Sequence, residues 1–192
     1  MVHYPVSPIL TAQTVLKASV TETTPEMPEN DWRRPYAAGA LDWGGNLMAT
    51  LVKKGSSKFG YEITFEASFR KSSPEAVGML DEMFDELGFD QKASVEEKEG
   101  NTNDQYLVRL TRRDDVREFL ELVAPFVVAR HEQVAILLEE VFPALDEGRH
   151  REAEGMVEVA LMLDRFNEHG FQRGPGKKHD AEAVADDLGV DL

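Results

Sequence analysis

Two stretches of this chain carry side chains able to read and hold a polyanion. Tyr61–Arg70 alternates strictly, with Tyr61, Ile63, Phe65, Ala67 and Phe69 on odd positions and Glu62, Thr64, Glu66, Ser68 and Arg70 on even ones. A period of two puts one set on a core and the other in solvent. In Gln105–Thr111 the same parity assigns Tyr106, Val108 and Leu110 to one face and Gln105, Leu107, Arg109 and Thr111 to the other. Lys92, Ser94, Glu96 and Lys98 are expected to extend the solvent face. Asn46–Lys53 admits either parity, and we take Asn46, Met48, Thr50, Val52 and Lys54 as its solvent set. Hydroxyl, amide and guanidinium groups read base edges in the major groove of DNA, while Lys and Arg neutralise phosphates. The residues expected to contact DNA are therefore Thr50, Lys53, Lys54, Lys58, Thr64, Ser68, Arg70, Lys92, Lys98, Gln105, Arg109 and Thr111. The competing explanation is an ordinary solvated sheet face. Glu62, Glu66 and Glu96 share that face, where they would accept from cytosine amino groups or repel phosphate.

Other chemistries find little support. There is no Cys, hence no disulfide, thiolate metal site or Cys nucleophile. The five histidines, His3, His131, His150, His169 and His179, do not cluster in sequence and are expected at the surface. Gly174-Pro-Gly-Lys-Lys lacks phosphate-loop spacing, and neither Gly-x-Ser-x-Gly nor His-Glu-x-x-His occurs.

The elements needed to position the polar face can be read in order. Tyr36–Trp43, rich in Ala and Gly, is a short helix opened near Asp31 and Pro35 and stopped by Gly44-Gly45. Asn46–Lys53 and Tyr61–Arg70 are strands around a polar loop. Ser73-Pro74-Glu75 opens a helix through Val77, Leu80, Met83, Phe84 and Leu87, ended by Gly88. Lys92–Lys98 and Gln105–Thr111 form a second strand pair. Asp114 caps the next helix, which Pro125 breaks; 126–142 is another helix ended by Pro143, and 150–168 is one more. The order α-ββ-α-ββ-α, with a weak αββ repeat, implies an α+β fold: a four-stranded antiparallel sheet with helices on one face. The other face stays uncovered.

Charge is distributed to match. The 192 residues hold 36 Asp and Glu against 21 Lys and Arg, a net charge of −15. Residues 46–71 nevertheless carry net +3 and 91–113 net +1, leaving −19 for the rest. A basic saddle on an acidic body is a phosphate footprint. Residues 1–30 are expected to be an extended arm with a short helix at 9–19. Residues 31–142 would be the DNA-binding domain, 143–169 a helical extension and 170–192 a flexible acidic tail with a helical turn at 180–188. No apolar run reaches the length of a membrane span. The first residues lack the basic start and apolar core of a secretion signal, so an intracellular, nucleoid-associated protein is expected.

Residues 36–142 resemble a known family. Tyr36-Ala-Ala-Gly-Ala-Leu-Asp-Trp-Gly-Gly45 is similar to the motif of the LAGLIDADG homing endonucleases of the single-motif, homodimeric type. ITFEAS (63–68), LDEMFDELGF (80–89), QYLVRL (105–110) and LELVAPFVVARHEQVAILLEEVFP (120–143) resemble further family segments in order. The resemblance implies an αββαββα domain whose saddle-shaped sheet lies over double-stranded DNA, and a homodimer formed by the motif helices. Ala38, Gly39, Asp42 and Trp43 would lie at that interface. It also implies an acidic residue at the end of the motif helix binding a divalent metal such as Mg²⁺.

At that position this sequence departs from the pattern. The metal-binding acid falls on Gly44, the usually small neighbour is Trp43, and the polar pocket residue of the second strand falls near Phe69. Arg130 matches the family's basic pocket residue. Asp42 matches the earlier acid of the motif, expected to cap the helix or hydrogen-bond at the interface; it would be the metal ligand, with Arg130 as its catalytic companion, only in an active enzyme. Three readings follow. The first is a homodimeric, sequence-selective DNA-binding protein without cofactor, cleavage-deficient, acting as a transcription regulator or site-specific binder. The second is an active metal-dependent homing endonuclease. The third is a protein-interaction module, with the acidic C-terminal helices docking a protein partner. The acidic surface and the excess of Arg (12) over Lys (9) further suggest a halophilic, high-salt cytoplasm.

Overall fold

The computed structural model describes residues 32–89, 94–96, 105–170 and 179–192. The expectations for residues 1–30, the cap at Asp31, Lys92, Lys98 and the loop 99–104 lie outside these residues. The first helix, α1 (Arg33–Gly44), leads directly into β1 (Gly45–Lys53), which returns as β2 (Tyr61–Lys71). Gly45 is required at this junction. A β-carbon there would stand 2.8 Å from the Leu41 Cα and 3.0 Å from Phe69 Cε1, so only glycine lets the chain turn over Phe69.

Helix α2 (Pro74–Glu86) ends at Gly88, whose φ of 93° is left-handed, and Phe89 N–H closes the end by donating to Phe84 O at 2.8 Å. Strands β3 (Ser94–Glu96) and β4 (Gln105–Leu110) complete one four-stranded antiparallel sheet of order β1-β2-β4-β3. Burial along β1 alternates strictly, with Leu47, Ala49 and Leu51 inside, which resolves the ambiguous strand in favour of the parity taken.

The core is aromatic at its centre. Phe69, Phe84, Phe89 and Phe119 pack edge-on or tilted at 5.5–6.3 Å between centroids, tying β2, α2 and α3 (Arg113–Val123) together. Such pairs contribute about 0.5–1.5 kcal/mol each beyond the area they bury. Asp114 does not cap α3: the N-cap is Arg112, and Asp114 lies in the first turn beside Arg113 at 3.2 Å. There its charge still complements the helix dipole.

The helix expected over 126–142 starts later and runs further. A 3₁₀ turn at Ala124–Phe126 is followed by α4 (His131–Ala135), a π-helical stretch at Ile136–Val141 and α5 (Phe142–Asp146). Pro143 therefore lies inside the helical run instead of ending it. Proline has no N–H and its ring crowds the carbonyl four residues back, and the wider π register ahead of it relieves both problems.

Helix α6 (Ala153–Glu168), which the sequence suggested as an extension, inserts Met156, Val157, Val159, Ala160, Leu163 and Phe166 into the same core and packs against β1. The helical turn expected at 180–188 is a two-turn helix. Helix α7 (Ala181–Leu188) is N-capped by Asp180, which accepts from Ala183 N–H at 2.9 Å, and it buries Ala181, Val184 and Ala185 against α6. Asp164 also accepts from Ala181 N–H at 2.9 Å. The cap is local, but the Asp164 side chain that holds the start of the helix to α6 is 17 residues away.

Candidate nucleic-acid interface

The register aligns the open face in rows across the strands. Asn46, Ser68 and Arg109 form one row, and Thr50 stands opposite Thr64. Met48 faces Glu66, and Val52 faces Glu62. Arg70 and Leu107 continue the face toward Ser94, and Gln105 stands opposite Glu96. The odd residues of β2 and the helices take the opposite side. Arg70 and Arg109 are exposed, and Arg109 has no ion-pair partner among the described residues. Thr111 is exposed just beyond β4.

Several expected contacts sit differently. Ser68 is 5% exposed and donates to Glu66 Oε1 at 2.6 Å, so its hydroxyl is already used. Thr64 Oγ1 donates to Thr50 O at 3.4 Å, and Lys54 pairs with Glu62 at 2.6 Å. Lys53 is turned away from the row. Odd parity at the strand end places it over the Tyr61 ring and 2.9 Å from Asp187 of α7. Lys58 also leaves the face, donating to Arg151 O at 2.8 Å and lying over Phe59. Basic residues counted in a sequence window need not share a side of the sheet, and these two do not.

At the C-terminal end of α1 the charged groups serve the backbone. Asp42 accepts from Val128 N–H at 2.8 Å through one oxygen and from Arg130 N–H at 3.1 Å through the other. Arg130 is 8% exposed and donates to Leu41 O at 3.0 Å, Gly45 O at 2.6 Å and Gln133 Oε1 at 3.0 Å. Burial pushes its guanidinium pKa down, and the nearby Asp42 charge opposes that shift. The last carbonyls of α1, which lack helical partners, are thus satisfied by a buried cation, favourable at a helix C-terminus. Gln133 in turn donates to Phe166 O at 3.3 Å, tying this end to α6.

The position of the motif's metal-binding acid is occupied in another way. A β-carbon on Gly44 would stand 2.7 Å from Lys71 Nζ. The parity-matched Phe69 is fully buried in the core and offers no polar atom. The residues expected to hold a divalent metal therefore do not fit one. Both oxygens of Asp42 are engaged by N–H donors, Gly44 has no side chain, and two cations, Lys71 and Arg130, flank the place. Lys71 enters the sequence analysis only through the charge of the 46–71 window, because the alternation read there ends at Arg70. One more residue of the same alternation puts it on the α1 side.

The outer side of α1 is aromatic. Trp32 (51% exposed), Tyr36 (38%) and Trp43 (92%) lie along it, and Gly39 between them has open space where a β-carbon would be. Trp32 and Tyr36 meet edge-on at 5.7 Å. Val128, 83% exposed, borders the stripe through the turn that Asp42 holds. Ala38 is fully buried within the chain and Asp42 is committed to the 128–130 turn, so of the four expected interface residues only Gly39 and Trp43 lie open. Trp32 and Tyr36 continue their spacing of three and four residues.

No family model matches the chain, and no curated protein sequence matches it. Solved structures do. The homing endonuclease I-CvuI, solved in complex with its target, superposes with a TM-score of 0.66 at 18% identity over 83% of this chain and 96% of that one. An archaeal intron-encoded homing endonuclease, I-Vdi141I, complexed with DNA, gives 0.67 at 16% identity over 84% and 97%. The group I intron-encoded homing endonuclease I-CeuI, complexed with DNA, gives 0.64 at 18% identity over 85% and 79%.

Proposed function

From the premise that this chain has the LAGLIDADG homing-endonuclease fold, we propose that it is a homodimeric, sequence-selective double-stranded DNA-binding protein that does not cleave. The observation that carries this reading is the end of α1. Gly44 faces the Lys71 ammonium, and Asp42 and Arg130 are consumed by backbone groups. A centre built this way holds helix and turn in place, and its one carboxylate is turned to backbone N–H groups with two cations beside it, a poor setting for a metal. The sheet face opposite the helices keeps Arg70, Arg109, Thr50, Gln105 and Thr111 for phosphates and base edges, with Lys54 at its margin.

Dimerisation would use the aromatic stripe of α1. Two copies related by a two-fold axis would cover Trp32, Tyr36 and Trp43, which are otherwise large apolar groups in water. The paired sheets would then span two half-sites. The role that follows is that of a regulator or site-specific DNA binder. The high density of acidic residues outside the saddle fits work at high salt, where repulsion of DNA by distant carboxylates is screened within about 3 Å at 1 M.

Binding-site selection on random duplex DNA, followed by incubation of the selected site with Mg²⁺ or Mn²⁺, tests the reading. A near-palindromic selected site that stays intact is the expected outcome. Absence of any duplex preference overturns the DNA-binding assignment. Cleavage abolished by Asp42→Asn would establish an active nuclease in its place.

A further inference from the structure

A pocket of about 420 Å³ lies at the β1–β2 loop end of the sheet, mainly on its helix side. It is closed by the β1–β2 loop at Ser57–Phe59, the odd residues of β2, the start of α3 and the turn leading into α6. Its volume lies in the range of small-molecule sites. Ile63, Phe65, Leu145 and Met156 form an apolar wall.

The polar lining is cationic, although the whole chain carries −15. Lys58, Arg113 and Arg151 contribute positive charge, and Glu62 is the one acidic lining residue. Glu62 is already paired with Lys54 at 2.6 Å. Arg113 is held by Asp114 and Asp146. Lys58 and Arg151 have no carboxylate partner among the described residues, although they are joined by the hydrogen bond from Lys58 Nζ to Arg151 O. Two cationic side chains without carboxylate partners at one concave site favour an anion there.

His150 adds a second observation. Its ring lines the pocket, yet Nδ1 is sealed from solvent and has no hydrogen-bond partner among the described residues. Burial, and then the charges of Arg151 and Arg113, lower its pKa and favour the neutral ring. That nitrogen is an unpaired polar atom in the wall of the pocket. A buried polar atom left unpaired is unfavourable, and a rearrangement on ligand binding that pairs it would relieve that cost.

We propose that this pocket binds a small organic anion, with a ring-sized apolar body against Ile63, Phe65 and Met156 and its acidic group between Lys58 and Arg151. The site is separate from the DNA face and does not depend on the DNA-binding reading.

The test uses the full chain with 1-anilinonaphthalene-8-sulfonate as the anionic probe and N-phenyl-1-naphthylamine as its uncharged counterpart, read by fluorescence titration and calorimetry. The expected result is saturable one-to-one binding of the sulfonate, at least tenfold tighter than the neutral amine. The double substitution Lys58→Met/Arg151→Met should weaken the sulfonate at least tenfold with an unchanged thermal midpoint. Met156→Trp, which fills the apolar end and leaves both cations, should also abolish it. Equal affinity for the two probes, sulfonate binding unchanged in either variant, or no saturable binding to the native chain overturns the assignment. If the double variant fails to fold, the native-chain probe comparison and Met156→Trp decide the question.

Discussion

Lys71 Nζ stands 2.7 Å from the point a Gly44 β-carbon would occupy, at the end of the helix that leads into the sheet. An ammonium on a flexible stem can withdraw from that point at little cost, but a metal ion beside it would meet like charge. The position is thus occupied by a cationic side chain from the end of β2.

Gly44→Asp is the direct test of that relationship. The new carboxylate should pair with Lys71 and not create a metal site, because Phe69 and Asp42 still supply no free oxygen. Thermal stability should change by less than about 1 kcal/mol, as for other exposed pairs. Selected DNA should remain uncut in Mg²⁺. Cleavage by this single variant would show that the lost acid alone had disabled the centre.

Asp42 and Arg130 should act as structural residues. Asp42→Ala removes the acceptor of two N–H groups and should cost about 1–2 kcal/mol in urea unfolding. Arg130→Ala should cost about 2–4 kcal/mol, because it leaves the Leu41 and Gly45 carbonyls without donors inside the protein. Arg130→Lys should recover only part of this, since an ammonium cannot reproduce the planar fork. An Arg130→Ala protein of native stability would contradict the capping role.

Trp43→Asp should separate dimers into monomers in sedimentation velocity while changing monomer stability by less than about 0.5 kcal/mol, since the ring is 92% exposed. Unchanged oligomeric state would remove α1 from the interface.

Arg70→Ala with Arg109→Ala should weaken DNA binding by about 1–3 kcal/mol per lost base contact, or lower the salt slope by about one for each lost phosphate contact. Lys53→Ala and Lys58→Ala should leave affinity unchanged, because both side chains face the helices. Gel shifts over a salt series distinguish the two sets. Binding by the native protein should persist in molar salt.

Docking of α7 should depend on pH at both extremes. The Tyr61 hydroxyl donates to Asp187, and Lys53 pairs with the same carboxylate. The Tyr61 hydrogen bond first, and Lys53 next, hold Asp187 below the usual carboxylate range. Its contribution is therefore present above the unfolded value of 3.8 and is lost as pH falls through the lower folded value. Burial, with help from Asp187, raises Tyr61 to about 12; its contribution holds below the unfolded value of 10.0 and is lost as pH rises through about 12. Hydrogen exchange of residues 181–188 should show loosening in both windows. Asp187→Ala should remove the acid dependence; persistence of that dependence would assign it to other carboxylates.

Much of the fold was legible in the residues because local rules and tertiary demands agree. The alternation of β2 placed Phe65, Ala67 and Phe69 inside, and Gly88 ended α2 where its left-handed φ requires. The parity of β4 put Arg109 outward and Val108 and Leu110 inward. Failures came where a distant contact overrode the local signal. Pro143, expected to end a helix, was absorbed by a π stretch. His150, expected at the surface, has a ring nitrogen sealed between elements.

By itself the sequence determined the element order, the sheet's open face, the glycine pair that closes α1 and the net positive charge of the two strand windows, because periodicity, glycine placement and charge are local properties. Only the tertiary structure decided which charges work where. It turned Lys53 and Lys58 to the helix side, spent Asp42 and Arg130 on the backbone, and brought Lys71 against Gly44. The physical reason is that a long side chain goes to whichever carbonyl, carboxylate or open space the packed neighbours leave within reach, and those neighbours are set by register and packing across the whole chain.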